Sequence, residues 1–353
     1  MTSNPKVLSE FLGYSDQDLE FENVVNDLEA HDIELGIEII FDYYRRNGFP
    51  HYQIREDEKH QHMRKIQRFD VDTIFKDNQI IQTMHGLRLA WTYFPYFWEI
   101  QCGNAKLTPM ETFLDDDKFK SVIRKCWNWC LKHQDENTSI FHENRLRQSL
   151  KIYSGTQSVS NFRPTAAKLI YEKFGGDVIW DMSCGWGGRL IGFLASSRKK
   201  YIGTEPSSKT FEGLQKIKKD FFYLEKSVEL HKLGSEVFEP KKESLDLCFT
   251  SPPYFDTEKY SDEDTQSYIK YPTEDKWVNG FLQKTIENCY NGLKDNKYML
   301  INIANTPKYK FIEEETVRIS KELGFKQEQT IELTLSSIMG AGYKYEPIFV
   351  FKK

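Results

Sequence analysis

From residue 151 onward, short β-rich runs alternate with helical ones, and no other feature of this 353-residue chain restricts its fold as much. "DVIWDMS" reads as a strand and "GGRLIGFLASS" as a helix. "KYIGTEP" is followed by the amphipathic "SSKTFEGLQKIKKDFFYL", "SLDLCFT" by "EDKWVNGFLQKTIENCYNGL", and "KYMLINIA" by "IEEETVRISKELGF". The last two runs, "KQEQTIELTLS" and "YEPIFVFKK", suit a terminal antiparallel hairpin. Strands joined through helices pair mainly in parallel, and ligands bind at the carboxyl ends of such strands. Residues 151–353 are therefore expected to form an α/β, doubly wound sheet.

The pattern before residue 151 is different. "DLEFENVVNDLEAHDIELGIEIIFDYYRR" spaces its apolar residues at three and four, and "DDDKFKSVIRKCWNWCLKHQ" runs from acids to Lys132 and His133, the charge order a helix dipole favours. Residues 1–150 are thus predicted to be a mainly helical domain for target recognition or partner binding. The "CWNWC" cysteines, Cys126 and Cys130, fall four apart beside two tryptophans, which reads as core; no metal site is expected.

Composition excludes several classes. The longest apolar runs fall far short of the ~20 residues of a membrane span, and the N-terminus lacks the basic-then-apolar order of a secretory signal. Six scattered cysteines are too sparse for a disulfide scaffold, so a cytoplasmic location is expected. Net charge is −5, and residues 1–42 carry eleven Asp/Glu against a single Lys6. Nucleic-acid contact would need a local patch. "YYRRNGFPHYQIR" and "KHQHMRKIQRF" interleave basic and aromatic residues and are the candidates, while the acidic first 42 residues suit a partner or homodimer interface.

Two turns carry chemistry. In "VIWDMSCGWGGRL" a strand ends at Asp181, and Gly185, Gly187 and Gly188 lead into a helix. No Gly-Lys-Ser/Thr follows, which argues against a triphosphate loop. Glu205 closes the next strand twenty residues after Gly185, where a carboxylate accepts both ribose hydroxyls. A dinucleotide enzyme shares this geometry, so it does not choose the cofactor. In "TSPPYF" the pair Pro252–Pro253 must end its strand, because proline has no N–H for the ladder. A hydroxyl, Ser251, precedes that stiff turn and an aromatic ring, Tyr254, follows it.

"DMSCGWGG" followed by "TSPPYF" resembles the S-adenosylmethionine-dependent DNA amino-methyltransferases, which act on cytosine N4 or adenine N6. The resemblance covers residues 155–353 and implies a Rossmann-like methyltransferase sheet. It implies that Asp181, Cys184, Gly185 and Gly187 hold the methionine part of the cofactor, with Glu205 on its ribose and Phe162 packed beside it. "HKLGSEVF" stands where the family usually places an Asp for the adenine amino group; here Ser235 and Glu236 are offered. Ser251, Pro252, Pro253 and Tyr254 become the catalytic turn, and Ser251 favours cytosine N4. Double-stranded DNA with its target base flipped out is the implied partner. Tyr343 of "GAGYKYEPIFVFKK" is a candidate lining residue of the base pocket, with Ile348 and Phe349 as core. The loop 255–275, with Tyr260, Tyr268 and Tyr271, reads either as closing over DNA or as a surface lid. Adenine N6 transfer, RNA guanine N2 transfer and a catalytically silent nucleic-acid-binding protein stay open. A nicotinamide oxidoreductase would share the glycine loop but has no use for the "SPPY" turn.

Overall fold

The computed structural model describes residues 28, 32–133, 141–338 and 342–353, without the side chains of 336–338, 342 and 343. The chain divides into two compact units, one from residues 1–51 and 96–159, the other from 52–95 and 160–353. The division is therefore not a single cut near residue 150. Residues 52–95 belong with the second unit, and charged side chains show why. Lys168 Nζ donates to the carbonyls of Ile66, Gln67 and Phe69, satisfying the exposed end of the helix Glu56–Arg68. Lys59 of that helix pairs with Asp220 at 2.8 Å.

The first unit is helical. Ile33–Asn47 and Asp116–Lys132 form the two long helices, with Pro109–Leu114 and Glu143–Lys151 between and after them in sequence. Thr108 and Glu111 form a reciprocal cap on the helix that begins with Pro109. Gly36 lets the long helices approach, since a Cβ there would collide with the Trp127 ring. Cys126 and Cys130 lie on the same buried face as Trp127, as expected for core residues. The part of the first predicted helix that precedes residue 32 lies outside the described residues, apart from Leu28.

The second unit is built on a sheet. Its strands are β1 (Val178–Asp181), β2 (Lys200–Thr204), β3 (Ser227–His231), β4 (Leu245–Thr250), β5 (Leu293–Asn302), β6 (Lys326–Ile338) and β7 (Gly342–Lys352). Their spatial order is β3-β2-β1-β4-β5-β7-β6, and the short strands Gln79–Ile80 and Phe75–Lys76 extend the β6 edge. The pairs β3/β2, β2/β1, β1/β4 and β4/β5 are parallel; β7 runs antiparallel to both neighbours. The expected terminal hairpin is thus present, with β7 inserted between β5 and β6. This is a doubly wound α/β sheet with an antiparallel C-terminal hairpin. β4 is buried at every position, as a central parallel strand covered on both faces must be. Each large apolar side chain so buried contributes about 1.5–3 kcal/mol. Trp180, Cys248, Met299 and Phe351 form part of one core layer with Trp277, Phe281 and Ile286 from the helical run 274–292.

The helices that matter for the site are α1 (Pro164–Phe174), α2 (Gly188–Ala195) and α3 (Ser208–Asp220). Strand order reverses between β1 and β4, so the crevice at the carboxyl ends of these two strands is the topological switch point. Both chemically distinctive turns leave the sheet there. Among the described residues no helix is long and apolar enough to cross a membrane.

Candidate functional site

The loop after β1 turns through two left-handed glycines, Gly185 at φ +54° and Gly187 at φ +71°. Side chains strongly disfavour that region. Gly187 then caps α2. The loop is held from below by one carboxylate. Asp181 is fully buried and accepts from Arg189 Nε at 2.9 and 3.1 Å, Tyr201 Oη at 2.7 Å, Thr250 Oγ1 at 3.2 Å and the Ser183 amide at 3.3 Å. Arg189 also reaches the Ser183 carbonyl. A carboxylate with this many partners has little left to offer a ligand. Asp181 thereby shapes the loop expected to hold the cofactor.

Cys184, the other side chain expected in this loop, also meets protein groups. Its side chain is buried, with Sγ 3.4 Å from Tyr201 Oη, and burial pushes its thiol well above the usual value. Its amide donates to the Thr204 carbonyl. Neither its side chain nor its N–H faces the crevice.

Glu205, at the end of β2, lies under the loop. Its carboxylate accepts the Gly185 amide at 3.0 Å and the Ser207 amide at 2.9 Å, and it is 5% exposed. Burial raises its pKa to about 7, opposed by those two amides. Two backbone donors occupy one lone pair on each oxygen, which leaves acceptor capacity for a pair of hydroxyls.

At the "GSEV" turn, Ser235 is buried and its hydroxyl is 2.7 Å from Thr285 Oγ1. That partnership still leaves the Ser235 oxygen acceptor capacity, and its neighbour Glu236 offers a second acceptor. Glu236 is 8% exposed, one oxygen pairs with Lys270 at 2.8 Å, and Oε2 is buried without a hydrogen-bond partner. A buried acceptor left unsatisfied costs about 1–3 kcal/mol, which an exocyclic amine would relieve. The residues present therefore fit an adenosine group: Glu205 for a diol, Glu236 for an amine. Phe162 stands just before α1, edge-on to Phe249 at 5.3 Å and 5.8 Å from the Arg189 guanidinium, at the rim of the same loop.

The second turn follows β4 directly. Ser251 Oγ lies 3.5 Å from Tyr254 Oη. Tyr254 Oη in turn lies 3.3 Å from the Asn302 carbonyl and 3.3 Å from Glu346 Oε2, with one proton to give. Pro252 is buried, and Phe255 closes the turn at φ +55°, a conformation an aromatic residue rarely takes. The Thr257 amide and hydroxyl both donate to the Tyr254 carbonyl and lock it. Glu346, on β7, was not singled out from sequence. Burial raises its pKa, against the opposing Tyr254 hydroxyl and Lys344. Ile348 and Phe349 are buried core residues as expected, while the Tyr343 side chain lies outside the described residues.

The loop after the turn lies across the cofactor side of the crevice. Tyr260 packs on Trp186 with ring centroids 4.3 Å apart, and its hydroxyl sits 3.6 Å from where a Gly185 Cβ would be. Glu263 accepts from the Ser208 amide at 3.0 Å and hydroxyl at 2.7 Å, at the start of α3. Lys270 reaches Glu236. Tyr268 donates to the Ser261 carbonyl and Tyr271 packs on Gly280, so those rings hold the loop itself.

The basic stretches expected to meet DNA are mixed: Arg64, Lys65 and Arg68 are exposed, while others pair within the fold. Arg45 pairs with Asp116 at 2.8 Å and stacks over three phenylalanines, and Arg55 pairs with Glu58.

No family model matches the chain, and no curated protein does. Among solved structures, it is similar to a methyltransferase from Pyrococcus furiosus, with 16% identity over 54% of this chain and 82% of that one, at a TM-score of 0.39. An S-adenosylmethionine-dependent methyltransferase from Methanosarcina mazei shares 12% identity over 52% of this chain and 96% of that one, TM-score 0.37. One from Mesorhizobium loti shares 11% over 53% and 96%, TM-score 0.38.

Proposed function

We propose that this chain transfers a methyl group from S-adenosylmethionine to an exocyclic amino group of a DNA base, cytosine N4 before adenine N6. The observation that carries the reading is the placement of the Ser-Pro-Pro-Tyr turn. It leaves β4 at the switch point, beside the glycine loop of β1, and both turns bond to the same Asp181.

The bound cofactor supplies an electrophilic methyl group on a sulfonium. The rest is the work of this chain. A base amine is a poor nucleophile because its lone pair is delocalised into the ring. Ser251 Oγ and the Pro252 carbonyl accept its two N–H bonds and draw the nitrogen towards tetrahedral geometry. The fixed proline torsions hold that carbonyl still, so the gain is one of positioning. Tyr254, its hydroxyl tethered and its carbonyl locked, offers a rigid ring for a flipped base. As the N–C bond forms and the C–S bond breaks, the nitrogen sheds one proton. Glu346 is the acceptor, reached through the hydroxyls of Ser251 and Tyr254.

The test is incubation with methyl-labelled S-adenosylmethionine and unmodified double-stranded DNA, then digestion to nucleosides. N4-methylcytosine, absent with Ser251→Ala, is the expected product. N6-methyladenine would keep the mechanism and change the base. Label in RNA but not DNA would move the protein to the guanine N2 class, and no label in either would overturn the proposal.

A further inference from the structure

The first unit holds a pocket of about 280 Å3 lined by Lys125, Arg145, Gln148, Ser149, Lys151 and Ile152. Three of the six residues are cations and none is an acid. Lys125 comes from the helix Asp116–Lys132, and Arg145 to Lys151 come from Glu143–Lys151. Arg145 is fixed in place: its guanidinium lies 3.8 Å over the Trp129 ring, and Trp129 stacks on His133 at 4.2 Å. Among the described residues its one hydrogen bond is a long one, 3.4 Å, from Nη1 to Gln148 Oε1, and its buried Nε has no partner. Ser149 is 2% exposed, and its hydroxyl has no partner either. Lys125 gives one N–H to the Ile152 carbonyl at 2.8 Å, which leaves two. Partial burial and the Arg145 charge both push the Lys125 ammonium below its usual pKa.

Buried donors are normally satisfied, and like charges are not normally held together without a counter-ion. Here two unspent buried donors sit beside the positive charges of Lys125 and Arg145. A tetrahedral oxyanion has the acceptors for all of them. Arginine held flat on an aromatic ring presents its fork edge-on, which suits two phosphate oxygens. Among the described residues that line it the pocket holds no acid, and the Trp129 ring beside Arg145 suits a neighbouring base, which together fit a nucleic-acid strand.

We infer that this pocket binds a phosphodiester group of a nucleic-acid strand, giving the first unit a role in affinity without base reading. The choice of nucleic acid rests on the reading of the second unit as a DNA methyltransferase. The pocket is distinct from the basic stretches 43–55 and 59–69 to which the sequence drew attention.

The experiment is fluorescence anisotropy of the full chain with a labelled DNA duplex and a labelled single strand, between roughly 50 and 200 mM NaCl. Wild type is compared with Arg145→Gln, Arg145→Lys and the double variant Lys125→Gln/Arg145→Gln. Thermal unfolding and S-adenosylhomocysteine affinity verify that each variant is folded. The double variant is expected to bind about tenfold or more weakly at low salt and to lose about two units of salt slope, with partial recovery in Arg145→Lys. Unchanged affinity and slope in the folded double variant would overturn the inference. So would loss of binding that titrates with inorganic phosphate at low millimolar concentration, which would mark a small-anion site instead. If the variants bind normally while wild type methylates DNA, the inference fails and the methyltransferase reading stands. If binding depends on Arg145 but no methyl group is transferred, the reading fails and the inference stands.

Discussion

Thr250 Oγ1 donates to Asp181 Oδ1 over 3.2 Å, joining the last residue of β4 to the last residue of β1. The glycine loop and the Ser-Pro-Pro-Tyr turn therefore rest on one buried anion. Thr250→Val removes that link while keeping the side chain's size. It is expected to cost about 1–2 kcal/mol of stability and to slow methyl transfer several-fold with little change in cofactor affinity. Denaturant unfolding, cofactor titration and single-turnover rates separate these effects. A wild-type transfer rate would show that the two turns are independent. Asp181→Asn should be far worse, about 3–5 kcal/mol, because it leaves the Arg189 guanidinium buried beside a neutral group.

Glu205 sets a pH dependence whose sign can be worked out. Its pKa rises from 4.5 to about 7 on folding, so the folded protein holds a proton that the unfolded chain has released. Without cofactor, stability contributed by this group falls as pH climbs from 4.5 to about 7. Ribose hydroxyls donate to the charged form, so S-adenosylhomocysteine affinity should rise with pH, by about tenfold per unit below that pKa and not above it. The groups acting on this carboxylate are Asp181, Arg189 and the Gly185 and Ser207 amides. Calorimetric titration across this range checks it; Glu205→Gln should bind weakly and without the slope.

Glu346 must be charged to accept a proton through Tyr254. Its pKa is raised by burial, and Tyr254, Asn302, Lys344 and Glu313 are the neighbours that bear on it. Single-turnover transfer should therefore increase with pH through that raised value and then level off. Glu346→Gln is expected to lower the rate and abolish the acidic limb, while Glu346→Asp restores the limb in part. A slow Glu346→Gln variant that keeps the wild-type pH profile would assign the residue a purely structural role.

Glu263 fastens the loop over the cofactor side through two hydrogen bonds to Ser208. Glu263→Ala should speed cofactor release a few-fold and leave the fold intact, since the side chain is near the surface. Trp186, packed under Tyr260, is the reporter: stopped-flow fluorescence of cofactor dissociation reads the change directly.

The central strands were legible because each is an apolar run closed by Gly, Pro or a charged residue. β3 was not. It is the outer strand, only Val228 of its five residues is buried, and "SVELH" shows no run to recognise. The assignment of residues 52–95 was equally invisible, because it depends on Lys168 and Lys59 meeting partners 101 and 161 positions away. Gly185 and Glu205 could be placed from their spacing, since one βα unit fixes the distance between successive strand ends. Spacing carries no information on where a side chain points. For that reason the hydrogen bonds that Asp181, Cys184 and Ser235 make to protein groups are not legible in the sequence. Glu346 stands 92 residues from Tyr254, and only the β5–β7 pairing brings it to the turn.

The loop that covers the glycine turn begins at Phe255, the residue that closes the catalytic turn. Cofactor exchange and base engagement therefore use one continuous piece of chain. The contacts of Tyr260 with Trp186 and of Lys270 with Glu236 lie on the same segment that leaves Ser251. On the proposed function, this continuity predicts distributive transfer, with one methyl group added per DNA encounter.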